Sequence, residues 1–137
     1  MKTSRTISSF VLLTSLAALS GCGLSGPAHD EPAKDAAAVV DMGFVSFDPE
    51  AVHIHAGQSV EFRNTALITH NVTDDKSVVA DPADVSIPAG AIAFNSGDLP
   101  AGQVYSVKFD VPGTYKYVCL RHEGHDMKGT VVVDPAP

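Results

Sequence analysis

Hydrophobic and polar residues alternate with a period of two in several short stretches, beginning at about Ala38. These stretches fall at 52–55, 60–63, 107–111, 115–119 and 131–133. Alternation of this kind predicts half-buried β-strands, because successive side chains of a strand point to opposite faces. Clusters of Pro, Gly, Asn and Asp separate the stretches and mark turns, and no later segment has a helical period. The pattern predicts an all-β domain built as an antiparallel sandwich or barrel.

Length and charge narrow the class of protein further. The chain has 137 residues, with 9 Lys and Arg against 16 Asp and Glu and a formal net charge of −7. This length suits one domain. The acidic balance argues against nucleic acid as a partner, because binding phosphates needs clustered Lys and Arg. Two cysteines could form at most one disulfide, which excludes a disulfide-rich scaffold.

The first 22 residues have the features of an export signal. Lys2 and Arg5 precede an apolar run at 10–19, which is too short to span a bilayer. The run ends in Leu19-Ser20-Gly21-Cys22, which resembles the lipobox of bacterial lipoproteins. The alternative is an ordinary secretory signal that happens to end near a cysteine. We expect residues 1–21 to be a lipoprotein signal peptide and Cys22 to be acylated.

Acylation at Cys22 would define the rest of the chain's organisation. Residues 22–37 have the composition of a flexible tether, and residues 38–137 form the folded domain. Acyl chains would hold this domain at a membrane surface, facing the periplasm or the cell exterior. Cys119 would then be the only thiol of an exported protein, which calls for a chemical explanation.

A set of metal-ligating residues supplies that explanation. Cys119, His122 and Met127 form a C-x2-H-x4-M motif on one loop between two predicted strands, and His70 lies far upstream. A thiolate and two imidazoles with a weak thioether are the ligands of copper electron-transfer sites. A nucleophilic Cys–His pair would lack a third orienting group and leave the methionine unexplained. Structural zinc sites usually gather more thiolates.

With these residues in place, the stretch from about Ala38 to Asp134 resembles the cupredoxins, and most closely their plastocyanin-like branch. The matching stretches are Phe47-Asp48-Pro49, residues 56–62, His70-Asn71-Val72, Gly113-Thr114-Tyr115 and residues 128–131. The resemblance implies a Greek-key β-sandwich of about eight strands with one type 1 copper ion. It implies His70, Cys119 and His122 as strong ligands and Met127 as the axial ligand. It also gives Asn71 the role of joining the ligand loops through hydrogen bonds.

Three residues depart from the plastocyanin pattern. Arg121 stands where a proline usually precedes the loop histidine, so we expect a less constrained loop with a positive charge near the copper. Val118 replaces the tyrosine that often precedes the cysteine, which argues against the plant-type acidic docking route. His125 lies inside the ligand loop, either as an exposed side chain or as an alternative axial ligand that titrates near neutral pH.

Two further groups of residues carry an ordinary interpretation and a functional one. His53 and His55 are expected to be solvated outward positions, with a second metal site as the alternative. Acidic residues that serve either solubility or docking to a basic partner occur at Asp74, Asp75, Asp81 and Asp84.

The sequence therefore predicts a type 1 copper protein that shuttles single electrons and is not an enzyme. His122 would be the electron port, and Leu67, Ile68 and Gly124 would belong to the docking surface. Expected partners are c-type cytochromes or membrane electron-transfer complexes, met transiently by a monomer. One alternative is copper capture or delivery in the cell envelope, with His125, His53 and His55 contributing. A weaker one is a structural lipoprotein without metal.

Overall fold

A computed structural model describes residues 36–137 of the chain. The predicted signal peptide, the acylation site Cys22 and the tether up to residue 35 lie outside the described residues. Ala37, at the predicted end of the tether, already donates its backbone N–H to the Ser59 carbonyl oxygen at 2.9 Å. Between residues 36 and 137, no helix has both the length and the apolar character needed to cross a bilayer.

The described residues form seven strands and one short 3-10 helix. The strands are β1 Ala38–Met42, β2 Phe47–Asp48, β3 Ala51–His55, β4 Gln58–Asn64, β5 Val104–Phe109, β6 Gly113–Val118 and β7 Lys128–Asp134, and the 3-10 helix is Leu120–His125. One sheet has the strand order β2-β1-β4-β5 and the other has the order β3-β7-β6. The buried faces of the two sheets share one hydrophobic core. The predicted all-β sandwich is confirmed.

Strand pairing differs from the expected antiparallel pattern at two places. β1 pairs with β4 in parallel, and β3 pairs with β7 in parallel. The chain passes from one sheet to the other between β2 and β3, and returns between β3 and β4. The strands of these two pairs are therefore not joined by hairpins, and the connections that leave the sheet and return permit parallel pairing. Alternation predicts which residues face inward but not which strand lies alongside.

Aromatic side chains fill the core beneath the loop that follows β6. The ring of Tyr117 packs edge-on against Phe47 and Phe62, with centroids 4.9 and 5.1 Å away. Its hydroxyl is buried and has no hydrogen-bond partner. Gly129 on β7 faces this ring, and a Cβ atom there would lie 2.4 Å from the Tyr117 Cζ atom. Close packing of the ring on the backbone therefore requires glycine at position 129.

The segment at 65–103 connects β4 to β5 and contains no regular strand. Single bridges join it to β6, where Thr73 pairs with Val118 and Ser86 pairs with Lys116, and a bridge within the segment pairs His70 with Leu99. The side-chain amide of Asn64 donates to the carbonyl oxygens of Ile68 and Leu99, at 2.7 and 2.8 Å. These bonds fix both sides of the bridge that carries His70. The long connection is thereby ordered without a strand of its own.

Candidate metal centre

Two histidines and the cysteine converge at one end of the sandwich. The Cys119 Sγ atom lies 3.6 Å from the His70 Nδ1 atom and 3.4 Å from the His122 Nδ1 atom. His70 and Cys119 are fully buried, and His122 is half-buried. Among residues 36–137, these three are the one group of His, Cys, Asp and Glu donors close enough together to hold a metal ion.

The spacing of these donors suits a single transition-metal ion. Nitrogen and thiolate ligands bind at about 2.0–2.3 Å, so two donors on one ion lie roughly 3.3–3.8 Å apart. Both sulfur–nitrogen distances fall in that interval, and one nitrogen of each imidazole faces the sulfur. The donor set is soft and contains no carboxylate, which favours copper over magnesium or calcium.

Met127 lies at the other end of the ligand loop and closes it. Its side chain is 1% exposed and belongs to the same buried cluster as Cys119. The Cys119 N–H donates to the Met127 carbonyl oxygen at 3.1 Å, and the Met127 N–H donates to the His122 carbonyl oxygen at 3.4 Å. Between them, Asp126 adopts the left-handed conformation, with φ 59° and ψ 32°. The loop therefore begins and ends at sulfur-containing side chains that are both buried.

Asn71 connects the two parts of the chain that supply the donors. Its Oδ1 atom accepts the Leu120 backbone N–H at 2.8 Å, and the side chain is nearly fully buried. Since Asn71 follows His70 and Leu120 follows Cys119, this bond ties one donor segment to the other. Asn71 thus lies beside the donors and joins their two segments by one hydrogen bond, and its role in orienting ligands stays a prediction.

Burial and nearby dipoles act in opposite directions on the Cys119 thiol. Burial raises its pKa above the ordinary value, and backbone N–H groups of Asn71, Arg121 and His122 around the sulfur, with the Arg121 charge, offset only part of that rise. These dipoles point at the sulfur and favour the thiolate, which is the form that binds a metal. A bound cation would strengthen that preference.

Both imidazoles are held in the neutral form. Burial lowers the pKa of His70 most, the neighbouring His122 lowers it further, and the Gly43 carbonyl raises it in part. The His70 Nε2 atom is buried and makes no hydrogen bond of good geometry, although it faces that carbonyl. Burial also lowers the pKa of His122, followed by the charges of His125 and Arg121. Neutral imidazoles can donate their lone pairs to a metal.

Two side chains of the ligand loop contact residues of the 65–103 connection. The Arg121 guanidinium makes two hydrogen bonds to the Asp98 carboxylate, of which the Nε–Oδ1 bond measures 3.1 Å. On the other side of His122, the Glu123 carboxylate accepts the Ala80 backbone N–H at 2.9 Å. The expectation of a less constrained loop stays a prediction, and these two contacts are what would act against it. The positive charge of Arg121 is also partly neutralised.

The other candidate residues lie apart from the donors. His125 is exposed, and its ring centroid is 6.2 Å from that of His122. His53 and His55 are exposed on β3, where the His55 Nδ1 atom contacts the Pro135 carbonyl oxygen at 3.1 Å.

The acidic stretch is not one surface. Asp74 is buried, and its Oδ1 atom accepts the Phe94 N–H at 2.7 Å. Asp84 pairs with Lys128 at 2.8 Å. Interpreting Asp74 as an exposed docking residue is therefore wrong, because its backbone belongs to the bridged segment inside the fold.

Comparison with known proteins agrees with this geometry. Residues 34–134 match the model of the family described as copper binding proteins, plastocyanin/azurin family. The chain belongs to this family. It is 39% identical over 93 residues to a plastocyanin of Scenedesmus fuscus, covering 68% of this chain and 91% of that relative. It is 36% identical over 94 residues to a plastocyanin of Ginkgo biloba, covering 67% and 91%.

Solved structures place the chain in the same group. The amicyanin of Paracoccus versutus superimposes with a TM-score of 0.58 at 28% identity, covering 77% of this chain and 86% of that one. A reduced mutant of amicyanin gives a TM-score of 0.60 at 28% identity, covering 79% and 95%. As a member of the plastocyanin/azurin family with this donor set, the protein has copper as its cofactor.

Sequence reasoning missed the residues that hold the ligand loop from outside. Asp98 follows Asn95-Ser96-Gly97 and had the appearance of a turn residue, and Ala80 contributes only its backbone. Neither carries a motif. The signal available in the sequence is the opposite charge of Arg121 and Asp98, which does not single out this pair.

Proposed function

We propose that this protein is a type 1 copper electron carrier that exchanges single electrons between redox proteins. The observation that carries the proposal is the preformed group of His70, Cys119 and His122, with Met127 buried at the end of the same loop. Copper bound there would supply one electron reversibly through its Cu(II) and Cu(I) states. We assign the three donors as strong ligands and Met127 as the axial one.

The protein's part is to hold the same ligand geometry in both oxidation states. His70, Cys119 and Met127 are each no more than 1% exposed, so close packing limits their movement. The Asn71 bond to Leu120 and the backbone bond between Cys119 and Met127 keep the donor segments together. Little rearrangement is then needed when the charge of the site changes.

His122 is the proposed electron port, because it is the one donor of the three that is partly exposed. We assign two exposed residues to the docking surface: Leu67, which is 96% exposed, and Gly124, which lies two positions after His122. An apolar patch around a redox centre suits a partner that docks over a small area and leaves quickly. We include Ile68, which is half-buried, in this surface.

Location and partners follow from the export signal. We propose that residues 1–21 are removed, that Cys22 is acylated, and that residues 22–37 tether the domain to a membrane of the cell envelope. The protein would then meet c-type cytochromes or membrane electron-transfer complexes as a monomer at the periplasmic or outer surface. Support comes from the charged start, the apolar run and the Leu19–Cys22 tetrapeptide.

Catalysis at the metal is not part of the proposal. Three strong ligands and an axial thioether leave no open position at which a substrate could bind. Cys119 is fully buried, so its sulfur is not available as a nucleophile toward an external substrate.

The test is a visible absorption spectrum of the chain from residue 23 onward after addition of Cu(II). We expect an intense blue colour that disappears on reduction, is absent in Cys119→Ser and is strongly altered in His122→Ala. The matched variant His125→Ala should keep the wild-type spectrum. A pale product that passes its metal to a chelator would favour copper delivery, and no copper uptake would overturn the proposal.

A further inference from the structure

His122 is the most exposed of the three close donors, and its backbone is not held by regular helix geometry. The 3-10 helix around it consists of two turns that meet at this residue, where φ is −133° and ψ is 24°. The His122 N–H donates to the Cys119 carbonyl oxygen at 2.9 Å, and the His122 carbonyl oxygen accepts the Met127 N–H at 3.4 Å. Side-chain contacts of the neighbouring residues add to these backbone bonds.

Those contacts come from the residues on either side of it. Arg121 is bonded through two nitrogens to Asp98, in the segment whose next residue, Leu99, pairs with His70. Glu123 accepts the N–H of Ala80, which belongs to a different part of the 65–103 connection. His122 is thus flanked by two side chains that reach two separate segments.

We propose that Arg121 with Asp98, and Glu123 with the Ala80 backbone, form a clamp that holds His122 in its ligating position before copper binds. Arg121 and Glu123 are positioning residues that act through His122. The inference rests on the proposed function, since it concerns one ligand of that copper site.

Geometry supports a positional role over a purely electrostatic one. A guanidinium that forms two bonds to one carboxylate fixes direction as well as distance. Because Asp98 lies next to the residue that pairs with His70, the Arg121 bond links the two histidine segments. The side chains are 48% and 61% exposed, so the pair contributes little to global stability. We therefore expect the Arg121–Asp98 pair to reduce local opening of the ligand loop and to have little effect on global unfolding.

The experiment compares variants in the copper-free and the copper-loaded protein. Arg121→Ala, Asp98→Asn, their double variant and Glu123→Ala are measured beside Lys108→Ala and Asp110→Asn. Lys108 and Asp110 form a control ion pair of similar exposure, 60% and 63%. Hydrogen exchange of the His122 and Met127 amides reports on the loop, with β6 and β7 amides as internal reference. Copper release to an excess of a Cu(I) chelator and the reduction potential are measured on the loaded protein.

If the clamp exists, removing either partner of the Arg121–Asp98 pair should loosen the ligand loop. Arg121→Ala and Asp98→Asn should each speed exchange of the loop amides and copper release by roughly threefold, as expected for an exposed pair. The double variant should do no more than the larger single one. Glu123→Ala should speed the same amides, and the control variants should leave them unchanged.

Electrostatics alone predicts a different result. Removing a positive charge and removing a negative charge would shift the potential in opposite directions and leave loop exchange unchanged. That outcome, or additive effects in the double variant, would overturn the clamp. A wild-type protein that takes up no copper would overturn the proposed function, and loop exchange in the copper-free protein would still decide whether the clamp exists.

Discussion

Asp74 gives the sharpest quantitative expectation, because it is a buried carboxylate with half of its hydrogen-bonding capacity unused. It is 1% exposed, its Oδ1 atom accepts the Phe94 N–H, and its Oδ2 atom has no partner. Burial raises the pKa of this carboxyl from 3.8 to about 6, against the lowering effect of the Phe94 bond. Between about pH 4 and pH 6, the folded protein therefore keeps a proton on Asp74 that the unfolded chain has already released.

The sign of the effect follows from that difference. A raised pKa means that the contribution of Asp74 to stability is fully present below about pH 4 and is lost as the pH rises through about 6. The difference between the folded and unfolded pKa values corresponds to a loss of roughly 3 kcal/mol in the free energy of unfolding once Asp74 is fully ionised. About 2 kcal/mol of this loss occurs between about pH 4.5 and 7.5. Asp74→Asn removes this titration and keeps the acceptor for Phe94.

Urea unfolding of the copper-free protein at about pH 4.5 and about pH 7.5 measures the change. The amide of the new asparagine faces the same unpartnered site, so the variant can be more or less stable than wild type at either pH. The informative quantity is the free energy of unfolding of the variant minus that of wild type. This difference should increase by about 2 kcal/mol from about pH 4.5 to 7.5. The contributions of other titrating groups, including His70 and His122, are common to both proteins and cancel in this difference.

The adjacent Asp75 is a control, because its pKa is shifted in the opposite direction. Hydrogen bonds from the side chain and backbone of Ser77 lower the pKa of its carboxyl. Its contribution is therefore fully present above the ordinary pKa and is lost only at lower pH, so the difference between Asp75→Asn and wild type should stay nearly constant between about pH 4.5 and 7.5. A pH-independent difference for Asp74→Asn, or an equally large change for Asp75→Asn over the same pH range, would refute the assignment of burial as the cause.

Two substitutions test the packing and the chemistry of the site separately. Gly129→Ala would force a Cβ atom to 2.4 Å from the Tyr117 ring, and urea or thermal unfolding should show a loss of about 2–3 kcal/mol. Gly124→Ala, where a Cβ meets open space, should stay within about 0.5 kcal/mol, and equal losses in both would contradict the steric reason. Met127→Leu keeps the buried volume but removes the thioether, so voltammetry should show a higher reduction potential because Cu(II) loses a donor. An unchanged potential would mean that Met127 only packs the core.

Alternation along the chain predicted the sandwich because it records which side chains face inward. Tyr115, Tyr117 and Cys119 share one face in the sequence pattern, and all three are buried on that face in the structure. The same reasoning extended a strand across 107–111, whereas β5 ends at Phe109 and the chain turns before Pro112. A turn interrupts a strand without interrupting its alternation when the turn residues have the same period.

Long-range contacts set the limit of prediction. The donors His70 and Cys119 are 49 positions apart in sequence, and a shared preference for one metal was enough to associate them. Arg121 and Asp98 are 23 positions apart and share only opposite charge, which many pairs on an acidic protein also do. Asp74 was grouped with its acidic neighbours because composition does not reveal the bond to Phe94 that draws it inside.

The closure of the ligand loop has a consequence for how such proteins diversify. The Cys119 N–H bonds to the Met127 carbonyl, directly beyond the antiparallel pair Val118 and Lys128. Everything between those two sulfur residues is a hairpin connection, so an insertion or deletion there leaves the register of β6 and β7 intact. The length and composition of this loop can therefore change the surroundings of the metal ligands while the pairing of β6 with β7 stays the same.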